Sequence, residues 1–141
     1  MPNADQPDPS RVIRQRGFRM TPQRQMILDA VAAGRSHSTP EQIYSRVVKK
    51  APAISRATVY RTLDFLAEQH LITNCDLGTG SKVYEMAGAQ PHHHLVCERC
   101  GRVEQFGHEM MEGVFKQIEL NHGFKITTDH LALFGLCRQC R

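Results

Sequence analysis

The run Pro91-His92-His93-His94-Leu95-Val96-Cys97-Glu98-Arg99-Cys100-Gly101 sets three imidazoles and two thiols within nine residues, 92–100. A second thiol pair, Cys137 and Cys140, stands in Leu136-Cys137-Arg138-Gln139-Cys140-Arg141. Two Cys-x-x-Cys pairs can give four thiolates to one tetrahedral ion, and ligand softness points to Zn²⁺ at about 2.3 Å per sulfur. The pairs are far apart in sequence, so the ion would tie the last strand and tail to the first strand pair of a C-terminal domain. A domain of about 55 residues buries too little surface for comfortable stability alone, and a structural zinc would supply the staple. A redox Cys-x-x-Cys is usually placed at a helix N-terminus that depresses a thiol pKa, and neither pair reads that way. Cys75 is left over and is expected to be a small buried hydrophobe.

The histidines open a second question. If residues 92–94 are extended, His92 and His94 share one face and His93 faces the other way. Two imidazoles make half a metal site. Glu85 and His37 are the candidates to complete it. Three imidazoles with one carboxylate form a harder set than four thiolates and suit Fe²⁺, Mn²⁺, Co²⁺ or Zn²⁺.

Upstream, helix signals come in sequence. Residues 1–9 read as a loose leader, and Arg11 to Arg16 as a short basic helix stopped by Gly17. Thr21-Pro22 is an N-cap followed by proline at the first helical position. Met26, Ile27, Ala30 and Val31 then follow at helical spacing up to Gly34. Thr39-Pro40-Glu41-Gln42 carries a capping-box pattern. Ser55 caps a third helix from Arg56 to about Gln69, with Val59, Leu63 and Leu66 on its buried face. Tyr60 and Arg61 lie on the opposite face near the N-terminus, which suits entry into a major groove. Strands are expected at 71–75 and 82–86, joined by a Gly-rich turn. Three helices and a two-stranded ribbon make a winged helix.

Beyond a hinge at 87–91, the pattern predicts strands at 93–97 and 102–106. A helix from about His108 to Leu120 and a strand from Lys125 to Phe134, covered on both faces, complete the chain. The expected organisation is α+β, with an N-terminal winged-helix DNA-binding domain at 1–86. A small α/β domain with the structural zinc site follows at 92–141.

The net charge of +4 is uneven: residues 1–85 hold 12 Lys+Arg against 8 Asp+Glu, and residues 86–141 hold 6 against 6. The excess falls on the part expected to meet a polyanion. No apolar run approaches the ~20 residues of a membrane span, and no secretory leader is evident, so a cytoplasmic protein is expected. The spellings of a zinc hydrolase or deaminase (His-x-x-Glu-His, His-Glu-x-x-His, His-x-Glu with Cys-x-x-Cys) do not occur, and no enzyme is expected.

Three stretches together carry a resemblance: Gly17-Phe18-Arg19-Met20-Thr21-Pro22-Gln23-Arg24, Ile54-Ser55-Arg56-Ala57-Thr58-Val59-Tyr60-Arg61-Thr62-Leu63, and the His92 to Gly101 run. In this order they resemble the ferric uptake regulator family of bacterial metal-dependent repressors, over residues from about 11 onward. The resemblance implies a homodimer, double-stranded operator DNA as partner and no membrane. It also implies a C-terminal dimerisation domain and a structural zinc on Cys97, Cys100, Cys137 and Cys140. Its regulatory metal would fall on His37, Glu85, His92 and His94. A further acidic ligand frequent in the family corresponds to Gln105 here, beside Glu104. An accessory site would use His93, Glu112 and Asp129. For DNA, the resemblance places Tyr60 and Arg61 in the major groove, Ser55 and Thr58 near phosphates, and Arg19 in the minor groove. No cysteine falls between Cys75 and Cys97, which argues against a zinc sensor, and Glu85 in place of Asp leans toward iron. The implied function is an Fe²⁺-dependent repressor of metal-homeostasis genes, with peroxide-sensing or Mn²⁺/Zn²⁺-sensing as alternatives.

Overall fold

The structure, a computed structural model, describes residues 8–34, 37–78, 80, 82–88, 90–127 and 130–141. By its contacts the chain divides into two compact units: Met1–Asn74 with Ser81–Gly88, and Cys75–Gly80 with Ala89–Arg141.

The first unit is built on four helices: α1 (Pro9–Gln15), α2 (Pro22–Ala32), α3 (Pro40–Val48) and α4 (Arg56–Glu68). Each begins on a side chain that satisfies an orphan amide. Asp8 accepts from Ser10 N, Thr21 from Arg24 N, Thr39 from Gln42 N and Ser55 from Thr58 N. At Thr39 the capping box is complete, because Gln42 Oε1 accepts in return from Thr39 N at 3.0 Å. The proline-led helix α1 starts two residues earlier than the basic stretch suggested, since Asp8 caps it. Val59, Leu63 and Leu66 of α4 are fully buried and meet Ile27, Ile43 and Val47 in one core. Burying each such side chain contributes roughly 1.5–3 kcal/mol.

Strands β1 (Ile72–Asp76) and β2 (Lys82–Met86) form a two-stranded sheet. An antiparallel bridge adds Ser38 beside Tyr84, each amide donating to the other's carbonyl at 2.8 Å. Helices followed by this small sheet form the winged helix. Cys75 is half-buried rather than buried, because it occupies an alternating strand whose partly exposed face it shares with Thr73.

The second unit holds a three-stranded sheet in the order β4 (Val103–Gly107), β3 (His92–Cys97), β5 (Ala132–Gly135). β3 pairs with β4 antiparallel, with His94 opposite Gln105, and with β5 parallel, with His94 opposite Ala132. The expected helix from His108 is two pieces, a 3-10 turn at His108–Met110 and α5 (Glu112–His122), closed by Gly123 at φ +60. The last strand departs most from expectation. It has four residues, and Leu133, Phe134 and Gly135 are exposed rather than covered on both faces. Alternating apolar residues predict burial, yet among the described residues of this unit the cover is partial, with Gly78 against the Phe134 ring.

Candidate metal centres

The second unit brings four sulfurs together. Those of Cys97, Cys100, Cys137 and Cys140 lie within 4.8 Å of one another, and Cys100 and Cys137 are 3.8 Å apart. A tetrahedron with ~2.3 Å metal–sulfur bonds has edges of about 3.8 Å, so the spacing fits zinc, and it is far longer than a ~2.05 Å disulfide bond. Two knuckles make the cluster. Gly101 N donates to Cys97 O and Cys140 N to Cys137 O, each at 2.9 Å. Arg99 Nη1 donates to Cys140 O and Arg102 Nη2 to Gln139 Oε1, both at 2.6 Å, so the first knuckle clasps the second. Backbone amides of Cys137 and Cys100 aimed at Cys97 Sγ hold its thiol down to about 6. Cys140 is pushed up to about 12, chiefly by its hydrogen bond to Cys137. Without an ion the four groups share few negative charges; four thiolates together require a cation among them.

A second donor group lies on β3 and in the segment just before β5. His92, His94 and His130 bring ring nitrogens within 4.8 Å of one another. His94 is buried and the other two are half-buried. The ring centroids of His92 and His130 are 4.6 Å apart, and those of His92 and His94 are 5.0 Å apart. His92 Nδ1 meets Gln90 O at 3.0 Å, the outer hydrogen bond that fixes a ligand imidazole's tautomer and makes Nε2 the lone-pair nitrogen.

The remaining predicted metal residues divide. In the first unit the Ser38–Tyr84 bridge sets His37 opposite Glu85, which is buried. Arg46 secures the arrangement, donating through Nη1 to Ser38 Oγ at 2.7 Å and to Ala30 O at 3.1 Å. Gln105 and Glu104 are exposed on β4, and Glu104 lies 3.9 Å from Arg102. His93 is fully buried, and its Nε2 is 3.0 Å from His108 Nδ1 between the rings of Phe106 and Phe115. Glu112 is exposed at the start of α5, and Asp129 lies outside the described residues.

The DNA-reading candidates gather on the first unit. Tyr60 and Arg61 are exposed on the first half of α4. The Tyr60 hydroxyl donates to Glu41 Oε1 at 2.5 Å, which raises the phenol's pKa and lowers the carboxyl's. Ser55 Oγ meets Thr58 Oγ1 at 2.9 Å at the helix N-terminus. Arg19 is exposed, and its carbonyl accepts from Arg24 Nη1 at 2.5 Å. The guanidinium of Arg24 lies 3.7 Å over Phe65, and Arg24 and Arg61 line one polar cleft.

The comparisons with known proteins agree with this architecture. A family model described as the ferric uptake regulator family matches residues 15–134. The chain belongs to the ferric uptake regulator family. It is 34% identical over 132 residues to the ferric uptake regulation protein of Campylobacter jejuni, spanning 92% of this chain and 84% of that protein. It is 29% identical to the peroxide-responsive repressor PerR of Staphylococcus epidermidis, over 92% and 85% of the two chains. The solved Vibrio cholerae ferric uptake regulator superposes with a TM-score of 0.76 at 28% identity, covering 92% of this chain and all of that one. This is a family of metal-responsive regulators, and among the described residues no helix is long and apolar enough to cross a membrane.

His130, Arg24 and Glu41 escaped the sequence reading. For His130 a signal existed: it lies two residues before Ala132, the partner of His94, and so shares the face of His92.

Proposed function

We propose that this chain is a metal-dependent transcriptional repressor that binds operator DNA as a homodimer in the cytoplasm. Fe²⁺ is its regulatory ion and Zn²⁺ its structural one. The observation that carries the reading is the group of His92, His94 and His130, since imidazoles make a poor core and a good ligand set. His37 and Glu85, ranged opposite each other in the first unit, are the proposed further donors. Imidazoles with one carboxylate suit Fe²⁺ or Mn²⁺, and related structures from Francisella tularensis and Pseudomonas aeruginosa contain iron and manganese.

When bound, the ion supplies a cross-link. His92 and His94 hold from the dimerisation domain, and His37 and Glu85 hold from the DNA-binding domain. Their joint engagement fixes the separation of two α4 helices in a dimer, which must match major-groove faces about 34 Å apart. A switch from mostly open to mostly closed needs about 5.5 kcal/mol of differential affinity, which two or three added ligands can supply. Arg61 reads guanine, Tyr60 contacts thymine methyls, and Arg19 enters the minor groove. Ser55 and Thr58, at the N-terminus of α4, lie near phosphates. For the dimer, β5 is an edge strand that carries exposed Leu133 and Phe134, with exposed Leu136 beyond it, and a second copy would cover them.

The test is DNA affinity titrated with Fe²⁺, Mn²⁺ and Zn²⁺ under reducing conditions, with and without peroxide. His92→Ala should lose the metal-dependent gain while keeping zinc content and fold. If it binds DNA as the wild type does with metal, the switch is wrong. Loss of binding on peroxide treatment would instead favour the peroxide-sensing reading.

A further inference from the structure

We infer that His130 is a ligand of the ion held by His92 and His94, so that the second unit captures the metal by itself before any donor of the first unit takes part. This rests on the reading of His92 and His94 as regulatory ligands and adds a residue that the motif does not contain.

Sheet register is the first support. β3 and β5 run parallel with His94 beside Ala132, and His130, two residues before β5 begins, comes beside His92. The rings follow the backbone: His130 lies 4.6 Å from His92 and 5.9 Å from His94, centroid to centroid. The three ring nitrogens lie within 4.8 Å of one another, inside the span that ligands of a single first-row ion occupy. The other flank of β3 offers less. Opposite His94 on β4 stands Gln105, an exposed neutral amide and a weak donor. The flank that would lend a carboxylate therefore lends none, and β5 lends an imidazole in its place. Three imidazoles gathered together, with His92 already oriented by Gln90 O, form a half-shell that suits a divalent ion from Mn²⁺ to Zn²⁺ and leaves positions open for a carboxylate. Capture and response thereby become separable steps on separate residues.

The test uses the full chain with its zinc site filled, and Co²⁺ as the probe. Binding is read from the visible d–d spectrum and by calorimetry. Contact-shifted imidazole N–H signals are counted by NMR. Response is read as affinity for a duplex selected by the wild type from a random pool with Co²⁺. Loss of an outer-sphere partner alone costs about 10–100-fold in metal affinity, so His130→Ala and the bulkier His130→Gln should each lose at least about tenfold, with one contact-shifted signal fewer. Glu85→Ala should lose clearly less Co²⁺ affinity than His130→Ala does, and should lose the metal-induced gain in duplex affinity. Wild-type Co²⁺ affinity and an unchanged signal count in His130→Gln would overturn the inference. So would Glu85→Ala losing Co²⁺ as completely as His92→Ala. A wild type that selects no duplex would sink the repressor reading alone, because the Co²⁺ measurements stand without DNA.

Discussion

At the scale of single residues, Tyr60 shows what a neighbour does to a side chain proposed to read DNA. Its hydroxyl is held by Glu41, so its proton leaves only at the expense of a charge-assisted bond and beside a carboxylate. The Tyr60 phenol should therefore titrate above the ordinary tyrosine range, and Glu41→Gln should bring it back, as ultraviolet difference titration would read. Arg61→Ala should weaken specific DNA binding by about 1–3 kcal/mol and relax preference at one base position, measured by competition among single-base variants. Cys97 gives the pH dependence. Its thiol is depressed from 9.0 to about 6 in the fold, so in zinc-free protein its contribution is complete above about 9 and is lost as pH falls through about 6. Urea unfolding of the zinc-free protein across that window should show declining stability. Sequence spacing alone exposes Tyr60 and Arg61, since helical period decides a face. It cannot expose Glu41, which sits on another helix and meets Tyr60 only through packing.

At the scale of elements, caps were the most legible feature. Thr21, Thr39 and Ser55 all begin the helices that their sequence neighbours announce, because the cap is a contact within three residues. Thr39→Ala should cost about 1 kcal/mol and lower the thermal midpoint measured by circular dichroism. The strands were less legible. β5 shrinks from ten expected residues to four, since alternation marks a face that needs cover without saying where the cover comes from. Likewise Gly78 reads only as a turn residue, yet a Cβ there would stand 2.5 Å from Phe134 Cε1 and would also meet φ +74. Gly78→Ala should destabilise by about 1 kcal/mol or more, in the same thermal assay.

At the scale of the whole molecule, the two candidate metal centres are proposed to serve different ends. The cysteine cluster joins the end of β3 to the tail after β5 and supplements a small core, since no residue of α5 is buried. Cys97→Ser, or chelation of zinc, should lower the second unit's stability far more than His92→Ala does, measured by hydrogen exchange across residues 92–135. The proposed dimer would cover the exposed apolar residues of β5, so Leu133→Lys with Phe134→Lys should shift the protein toward monomer in sedimentation at unchanged helicity.

The parallel pairing of β3 with β5 also sets a timetable. Synthesis delivers His92 and His94 some forty residues before Ala132, and Cys97 equally long before Cys137. Neither donor group can assemble on a ribosome until residues 130–140 have been made. A product terminated before residue 130 would therefore lack His130, Cys137 and Cys140, and with them the third imidazole and the second thiol pair.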